Sequence, residues 1–302
     1  MKSSESLKRN SKFSVFNIVL FTIMIITGIL TLYPFLNVLA LSFNEAYDSI
    51  KGGIYIIPRK FTWSNYEEMF RNKQLFTAFN ISSLRTLIGT LTSIIGCSMV
   101  AYVISRKDFM FRKLFSVMLA ITMYMGGGLI PDYILISKLG MFNSFLVYII
   151  PGLIGVWNVF VIRSYIDGLP VSLQESAKID GANDMYIYFK IILPLCIPVL
   201  VTVSLFIAVG QWNSWFDTYL YCTSNKNLTT LQYELQKMLS YANIQVNTDD
   251  LRTLEESQKQ VRVTPEALKM AMTMVATAPI LVVYPFIQRY FVTGLTLGAV
   301  KS

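Results

Sequence analysis

The run from Phe13 to Phe35 carries no Asp, Glu, Lys or Arg, and it narrows the possible folds more than any other stretch. It exceeds the ~20 apolar residues an α-helix needs to cross a bilayer. In hydrocarbon the backbone must satisfy its own hydrogen bonds, so such a run is read as a helix. Comparable runs follow at about Phe79–Ile104, Leu114–Leu135, Leu146–Tyr165, Ile191–Tyr219 and Pro265–Phe291. Together they predict an all-α integral membrane protein with six transmembrane helices. Ala40-Leu41-Ser42 is a weak small-x-small cleavage site, but the first run is too long for a signal-peptide core and other spans follow. It is therefore read as an uncleaved helix.

Composition agrees. Of 302 residues, 54% are hydrophobic and only 15% charged, with mean hydropathy +0.50. A soluble domain carries about a quarter charged residues. The formal net charge is +8 without any histidine. In a soluble chain that excess would suggest nucleic acid. In this one much of it sits at helix ends, as the positive-inside bias requires, and no nucleic-acid partner is expected. Cys97, Cys196 and Cys222 are scattered without metal-ligand spacing, so no metal is expected.

The loops set the orientation. Arg106, Lys107, Arg112 and Lys113 make the loop after the second helix basic, whereas the loop after the third carries only Lys138. The first of these is read as cytoplasmic. The chain then divides into a cytoplasmic N-terminal segment 1–12, a transmembrane domain 13–291 and a cytoplasmic C-terminal tail 292–302. An outer loop covers 43–76 and a long extracellular loop 222–264. Ser64 with Glu67 is placed to cap a short outer helix. Thr264-Pro265-Glu266 has the capping hydroxyl, first-turn proline and acid of a helix start. Leu231, Leu235, Met238 and Leu239 follow helical spacing, and Thr248-Asp249-Asp250 reads as another start. Gly126-Gly127-Gly128 and Pro131 should break the third helix. Arg85, near the outer end of the second, is expected to snorkel or pair.

One polar stretch lies between two apolar runs: SLQESAKIDGANDMYIYFKIILP, Ser172 to Pro194, within a loop over 170–194. Ser172 and Glu175 have capping-box spacing. Gly181 stands where a helix C-terminus needs positive φ. A second helical run, Asn183 to Lys190, leads into Ile191-Ile192-Leu193-Pro194. The expected result is a helix–turn–helix knob on the membrane surface.

These residues carry a resemblance. Glu175-Ser176-Ala177, three residues, Gly181, nine residues, then Ile191-x-Leu193-Pro194 resembles the EAA loop of ABC importer permeases, with Ser176 the one departure. Asp180 and Ala182 flank the glycine as in many sugar permeases. The outer Phe61, Thr62, Asn65 and Tyr66 resemble a loop of carbohydrate importer permeases. Gly127-Gly128-Leu129-Ile130-Pro131 with Leu139-Gly140, and the C-terminal Gln288 to Lys301, resemble the lipoprotein-linked, polysaccharide-type subgroup of maltose-type permeases. The alternative of a merely amphipathic loop requires neither the glycine nor the Leu-Pro at those distances.

The resemblance implies a type I ABC importer permease fold with a cytoplasmic coupling helix, in a bacterial cell membrane. It implies alternating access for an oligosaccharide, with complex or uronic-acid-containing ones within the subgroup's range. The ATPase-coupling residues would be Glu175, Ser176, Ala177, Asp180, Gly181, Ala182, Leu193 and Pro194. Glu175, Asp180 and Asp184 would face a basic groove on the ATPase. Implied partners are a second, homologous permease in a heterodimer, two copies of an ABC ATPase subunit and an extracellular solute-binding protein. No cofactor is expected in this chain: it has no G-x-x-x-x-G-K-[ST] loop, so ATP and Mg would sit on the ATPases. The chain itself is read as a non-catalytic subunit.

Sugars bind by stacking on aromatic faces and by side-chain hydrogen bonds. Tyr124, Trp157, Asn158, Trp212, Asn213, Trp215 and Asp217 fit that chemistry and are the candidates for a substrate path. The competing account is an interfacial aromatic belt. Two other functions compete with this reading. An ion-coupled secondary sugar transporter would place ionisable groups at mid-membrane, where this chain is nearly bare. A polytopic membrane enzyme would need a catalytic cluster, and neither H-E-x-x-H nor G-x-S-x-G occurs.

Overall fold

The computed structural model describes residues 15–245 and 263–299. The described chain is helical, with one isolated β-bridge between Asn44 and Phe61. Its residues form two compact units: 15–68 with 263–274, and 69–245 with 275–299.

In the first unit, α1 (Val15–Ser42) is a single helix through Pro34, exposed along most of its length. Exposed apolar side chains on a helix this long are what a lipid environment demands. After it, α2 (Ala46–Ile50) and the start of α3 (Ser64–Arg71) surround a buried polar knot. Asn44 accepts from the Lys60 N–H at 2.8 Å and Asn65 donates to the carbonyls of Ser42 and Asn44, both at 2.9 Å. Ser64 does not cap α3. It lies inside the helix, and its own N–H donates to Thr62 Oγ1 at 3.1 Å. The turn is closed from two residues earlier, where Thr62 can reach an orphan N–H. Thr264 does accept from the Ala267 N–H at 3.3 Å, at the start of α14 (Pro265–Ala299).

The second unit is built on α4 (Lys73–Ser105). Asn72 caps it, accepting from the N–H groups of Gln74 and Leu75 at 3.0 and 3.4 Å. Its buried positions include Ala78, Ser82, Arg85, Gly89, Ser93, Cys97 and Ala101, at steps of three or four. That is one helix face, and all but Arg85 are small, which lets other backbones approach closely. α7 (Val156–Ile166) and α11 (Ile197–Asn213) pack on it. Gly89 shows how close: a Cβ there would stand 2.8 Å from Gln211 Nε2.

The remaining segments depart from straight spans. The third apolar run divides into α5 (Arg112–Tyr124) and α6 (Leu129–Lys138), bent by 115°. The break falls at the glycines, with Gly128 at φ +88°. Pro131 lies in the first turn of α6, where a proline fits a helix. The fourth run, expected as a helix over Leu146–Tyr165, is helical only as a 3₁₀ turn at Phe145–Tyr148 and then as α7. Pro151 and Gly152 interrupt it between. The fifth bends by 80° between 184–195 and α11, and a further short helix, α12 (Phe216–Tyr221), follows a break at Ser214 and Trp215. α13 (Leu231–Gln245) forms where Leu231, Leu235, Met238 and Leu239 predict a helix. The expected start at Thr248 lies outside the described residues, as does the segment 1–12. α14 continues past Phe291 to Ala299. By length and apolarity three described helices can cross a membrane, or five if each bent pair counts as one span.

Candidate functional site

Two features of the second unit combine polar chemistry with an unusual backbone: the loop over 170–194 and a cavity beside α4.

The loop opens with α8 (Ser172–Ile179). The expected capping box is absent. Ser172 is already in the helix, and the Glu175 N–H donates to the Val171 carbonyl at 3.2 Å. Pro170 presets a helical φ and starts the turn two residues earlier, so Ser172 cannot adopt the extended backbone of a cap. The other end follows expectation. Gly181 has φ +80°, its N–H donates to the Lys178 carbonyl at 3.0 Å, and the Ala182 N–H donates to the Ala177 carbonyl at 2.9 Å. This is a Schellman closure, which satisfies two orphan carbonyls and needs the left-handed residue. Asn183 then caps α9 (Asp184–Ile187) by accepting from the Tyr186 N–H at 2.8 Å. A π turn, Tyr188–Ile192, and α10 (Leu193–Leu195) complete the loop.

One side of the loop is held to the helical body. Ala177, Ile187, Tyr188 and Ile192 are buried in a core with Cys97, Ala101 and Ile162, and Ala182 and Leu193 pack against it. Tyr188 and Ser98 share a hydrogen bond of 2.8 Å. The other side is open: Glu175, Ser176, Asp180 and Pro194 are exposed, and Ile179 is 86% exposed.

Arg106, capping the C-terminus of α4, fastens the two parts. It is only 9% exposed. It grips Asp108 with Nε and Nη2 at 2.9 and 2.6 Å, and donates from Nη1 to Tyr102 Oη at 2.7 Å and to Asp184 Oδ1 at 2.6 Å. Lys178 of α8 reaches the same Asp108 at 2.6 Å. The Arg106 hydrogen bonds, and after them the Lys178 bond, hold the Asp108 carboxyl well below the usual carboxylate range. Arg106 is pushed above its ordinary value, chiefly by Asp108. Asp184, expected to face a partner, is bonded through Oδ1 within the chain and remains 65% exposed, because an arginine at the end of α4 lies within reach of α9.

The cavity has a volume of about 610 Å³ and lies among α4, α6, α7, α11 and α12. Arg85 is buried, 2% exposed, in its wall. Its guanidinium pairs with Asp217 at 2.5 Å, bonds Gln211 Oε1 from Nε and Nη2 at 3.2 and 3.0 Å, and lies 4.3 Å from the centre of the Tyr148 ring. Asn158, Asp132, Ser214 and Tyr221 also line it.

Of the residues proposed for a substrate path, Asn158 and Asp217 meet in this cavity. The others lie elsewhere. Tyr124 is 85% exposed at the end of α5. Trp157 is exposed and meets Phe206 edge-on. Trp212 is buried, with Nε1 donating to the Ala276 carbonyl at 2.7 Å and its ring against Phe79. Asn213 accepts from Gln232, and Trp215 packs on Phe216 and Tyr219. Arg85, expected to snorkel or pair, pairs with Asp217, whereas Arg106 stands out in the sequence only as one of the basic residues of its loop. A signal existed for Arg85: a charge within an apolar run needs a partner, and Asp217 is the acid inside another.

Apolar spans, a polar cavity against the central helix and a braced surface loop define a membrane transport subunit. The family of binding-protein-dependent transport system inner membrane components matches residues 12–296, and the chain belongs to it. It is 32% identical over 288 residues to the polygalacturonan/rhamnogalacturonan transport system permease protein YtcP of Bacillus subtilis (strain 168), covering 95% of this chain and 99% of the relative. It is also 32% identical over 276 residues to Protein LplC of the same organism, covering 91% of each. Among solved structures, a chain of a bacterial ABC transporter involved in the import of the acidic polysaccharide alginate superposes with a TM-score of 0.82 at 25% identity, covering 92% of this chain and 96% of that one. The fold is that of an ABC importer permease.

Proposed function

We propose that this chain is a permease subunit of an ATP-driven oligosaccharide importer, and that it couples to an ATPase through the 170–194 loop. The observation that carries this is the loop itself. Its inner side is packed on α4 and ion-paired to Arg106 at its end and Asp108 just beyond, and its outer side offers Glu175, Asp180 and an 86% exposed Ile179. An apolar side chain so exposed between two carboxylates suits a basic groove with an apolar floor. Its backing transmits displacement, because α8, closed at its C-terminus and ion-paired through Lys178, moves with the body to which it is fastened. Six crossings would result if the interrupted segment 145–166 spans the bilayer with the two bent pairs and the three long helices. Both termini and the loop would then be cytoplasmic.

The partners that complete this reading are a second, homologous permease, two ATPase subunits and an external solute-binding protein. The substrate class comes from the similar proteins, which include a polygalacturonan/rhamnogalacturonan transport system permease and a transporter involved in the import of alginate. Asn158 and Asp217, in the cavity, are the substrate-path residues the reading retains.

The test is ATP hydrolysis by the assembled complex in proteoliposomes, with and without sugar-loaded binding protein, for wild type and Gly181→Pro. Proline cannot adopt φ +80° and has no N–H for the Lys178 carbonyl. Stimulation in wild type and its loss in an assembled variant are expected. A fully stimulated variant would remove the loop from the mechanism.

A further inference from the structure

The cavity has a charge pattern that bears on which sugars it admits. Arg85 is the one cation among its lining residues, and Asp132 and Asp217 are the carboxylates. A guanidinium has five N–H donors. All are engaged: Nε with Gln211, Nη2 with Gln211 and Asp217, and Nη1 with Asp217 and the Ser214 carbonyl, the last two at 3.1 and 3.3 Å. Arg85 therefore offers nothing to an incoming anion, and its charge is balanced by Asp217. Asp132 stands in the first turn of α6 with an exposed side chain that makes no hydrogen bond or ion pair among the described residues. The wall is left with one unbalanced negative charge. Asn158 adds a neutral donor and acceptor.

We infer that the cavity contributed by this subunit takes an uncharged, hydroxyl-rich stretch of a sugar chain, and that Asp132 is the specificity-determining residue that excludes carboxylates from it. A sugar hydroxyl can donate to the Asp132 carboxylate, whereas a uronate cannot and is repelled by it. Relatives that handle acidic polysaccharides place no constraint on this wall, since recognition of the acid can sit on another subunit. The inference rests on the oligosaccharide-importer reading and adds the charge class that this subunit accepts.

The test is saturation-transfer NMR on the intact transporter complex in nanodiscs, which reports weak binding without the binding protein. The probes are trigalacturonate and its fully methyl-esterified, neutral form, which share one backbone. Wild type should bind the ester about tenfold more tightly than the acid, equivalent to about 1.4 kcal/mol. Asp132→Asn should bring that ratio near one, and Asp132→Arg should invert it. A ratio compares two ligands on one preparation, so a general loss of folding does not move it. Equal binding of both probes by wild type, an unchanged ratio in Asp132→Asn, or no transfer from either probe would overturn the inference. Should sugar-loaded binding protein still stimulate ATP hydrolysis in that complex, the importer reading would stand. If it does not, both fall.

Discussion

Arg106 donates from Nη1 to Asp184 Oδ1 at 2.6 Å across 78 positions of sequence, and so ties the end of α4 to the start of α9. With the grip on Asp108 and the Lys178–Asp108 bond, this makes α4, α8 and α9 one mechanical piece. Arg106→Ala would leave Asp108 to Lys178 alone and Asp184 without its cation, both exposed enough for water to solvate them. The stability lost should then be about 2 kcal/mol, the scale of hydrogen bonds to charged groups. Arg106→Lys keeps the charge but not the fork. In both variants the stimulated ATPase rate should fall more than the basal rate. A lysine variant equal to wild type in thermal unfolding and stimulation would show that charge alone suffices.

Asp108 makes this junction sensitive to acid. Its folded pKa is lowered, so its bonds stabilise the fold fully above the unfolded value of about 3.9. That contribution is lost as pH falls below this value toward the folded one. The stability gap between wild type and Asp108→Asn should be constant from pH 5 to pH 8 and shrink below about pH 4. Thermal unfolding across that range reads it. A gap that narrows between pH 6 and pH 8 would point to another titrating group.

Arg85 and Asp217 form the second long-range pair, and Arg85 is nearly inaccessible at 2%. Removing Asp217 leaves a buried guanidinium short of its counter-charge, so Asp217→Asn should destabilise by about 3 kcal/mol. Arg85→Met alone leaves a carboxylate that is 22% exposed and can take water, which costs less. The double variant should be more stable than the sum of the single effects predicts. Additive effects would mean that the two groups do not depend on each other.

Gly89 makes that pair possible by letting Gln211 lie on α4. A Cβ at Gly89 would meet Gln211 Nε2 at 2.8 Å and Cδ at 2.9 Å. Gly89→Ala gains helix propensity of about 1 kcal/mol. It also displaces the amide that accepts two Arg85 hydrogen bonds. A net loss of stability is expected in the wild-type background, and no further loss when Gly89→Ala is added to Gln211→Ala and compared with Gln211→Ala alone. If Gly89→Ala still costs stability in that background, the clash lies elsewhere.

What the sequence made legible is what is local. The break in the third run, the Thr264 cap and the left-handed Gly181 each depend on residues within a turn or two, and each is present. The small-residue face of α4 was equally available as a repeat of three and four. What was hidden depends on distance. Arg85 with Asp217 and Arg106 with Asp184 are separated by 132 and 78 positions, and no periodicity links them. Ser172 misled because a capping-box pattern cannot outcompete a proline two residues earlier. Trp212 misled because a tryptophan suits a sugar and a helix interface equally, and only the Ala276 carbonyl decides where its N–H goes.

Gly181 offers the sharpest separation of backbone from side chain. A Cβ there would meet nothing within 4 Å, so any effect of Gly181→Ala comes from φ +80° rather than from crowding. An L-residue in the left-handed region costs about 1–2 kcal/mol, and asparagine suffers least because its short polar side chain bonds locally. Alanine should weaken the Schellman closure and loosen α8 from α9, lowering stimulated ATP hydrolysis several-fold. Asparagine should recover most of the loss, although it adds more bulk than alanine does. Amide hydrogen exchange at Gly181 and Ala182, whose N–H groups close the turn, should accelerate in the alanine variant and much less in the asparagine one. If asparagine proves as damaging as alanine, the glycine is required for the space a partner occupies and not for the conformation of the turn.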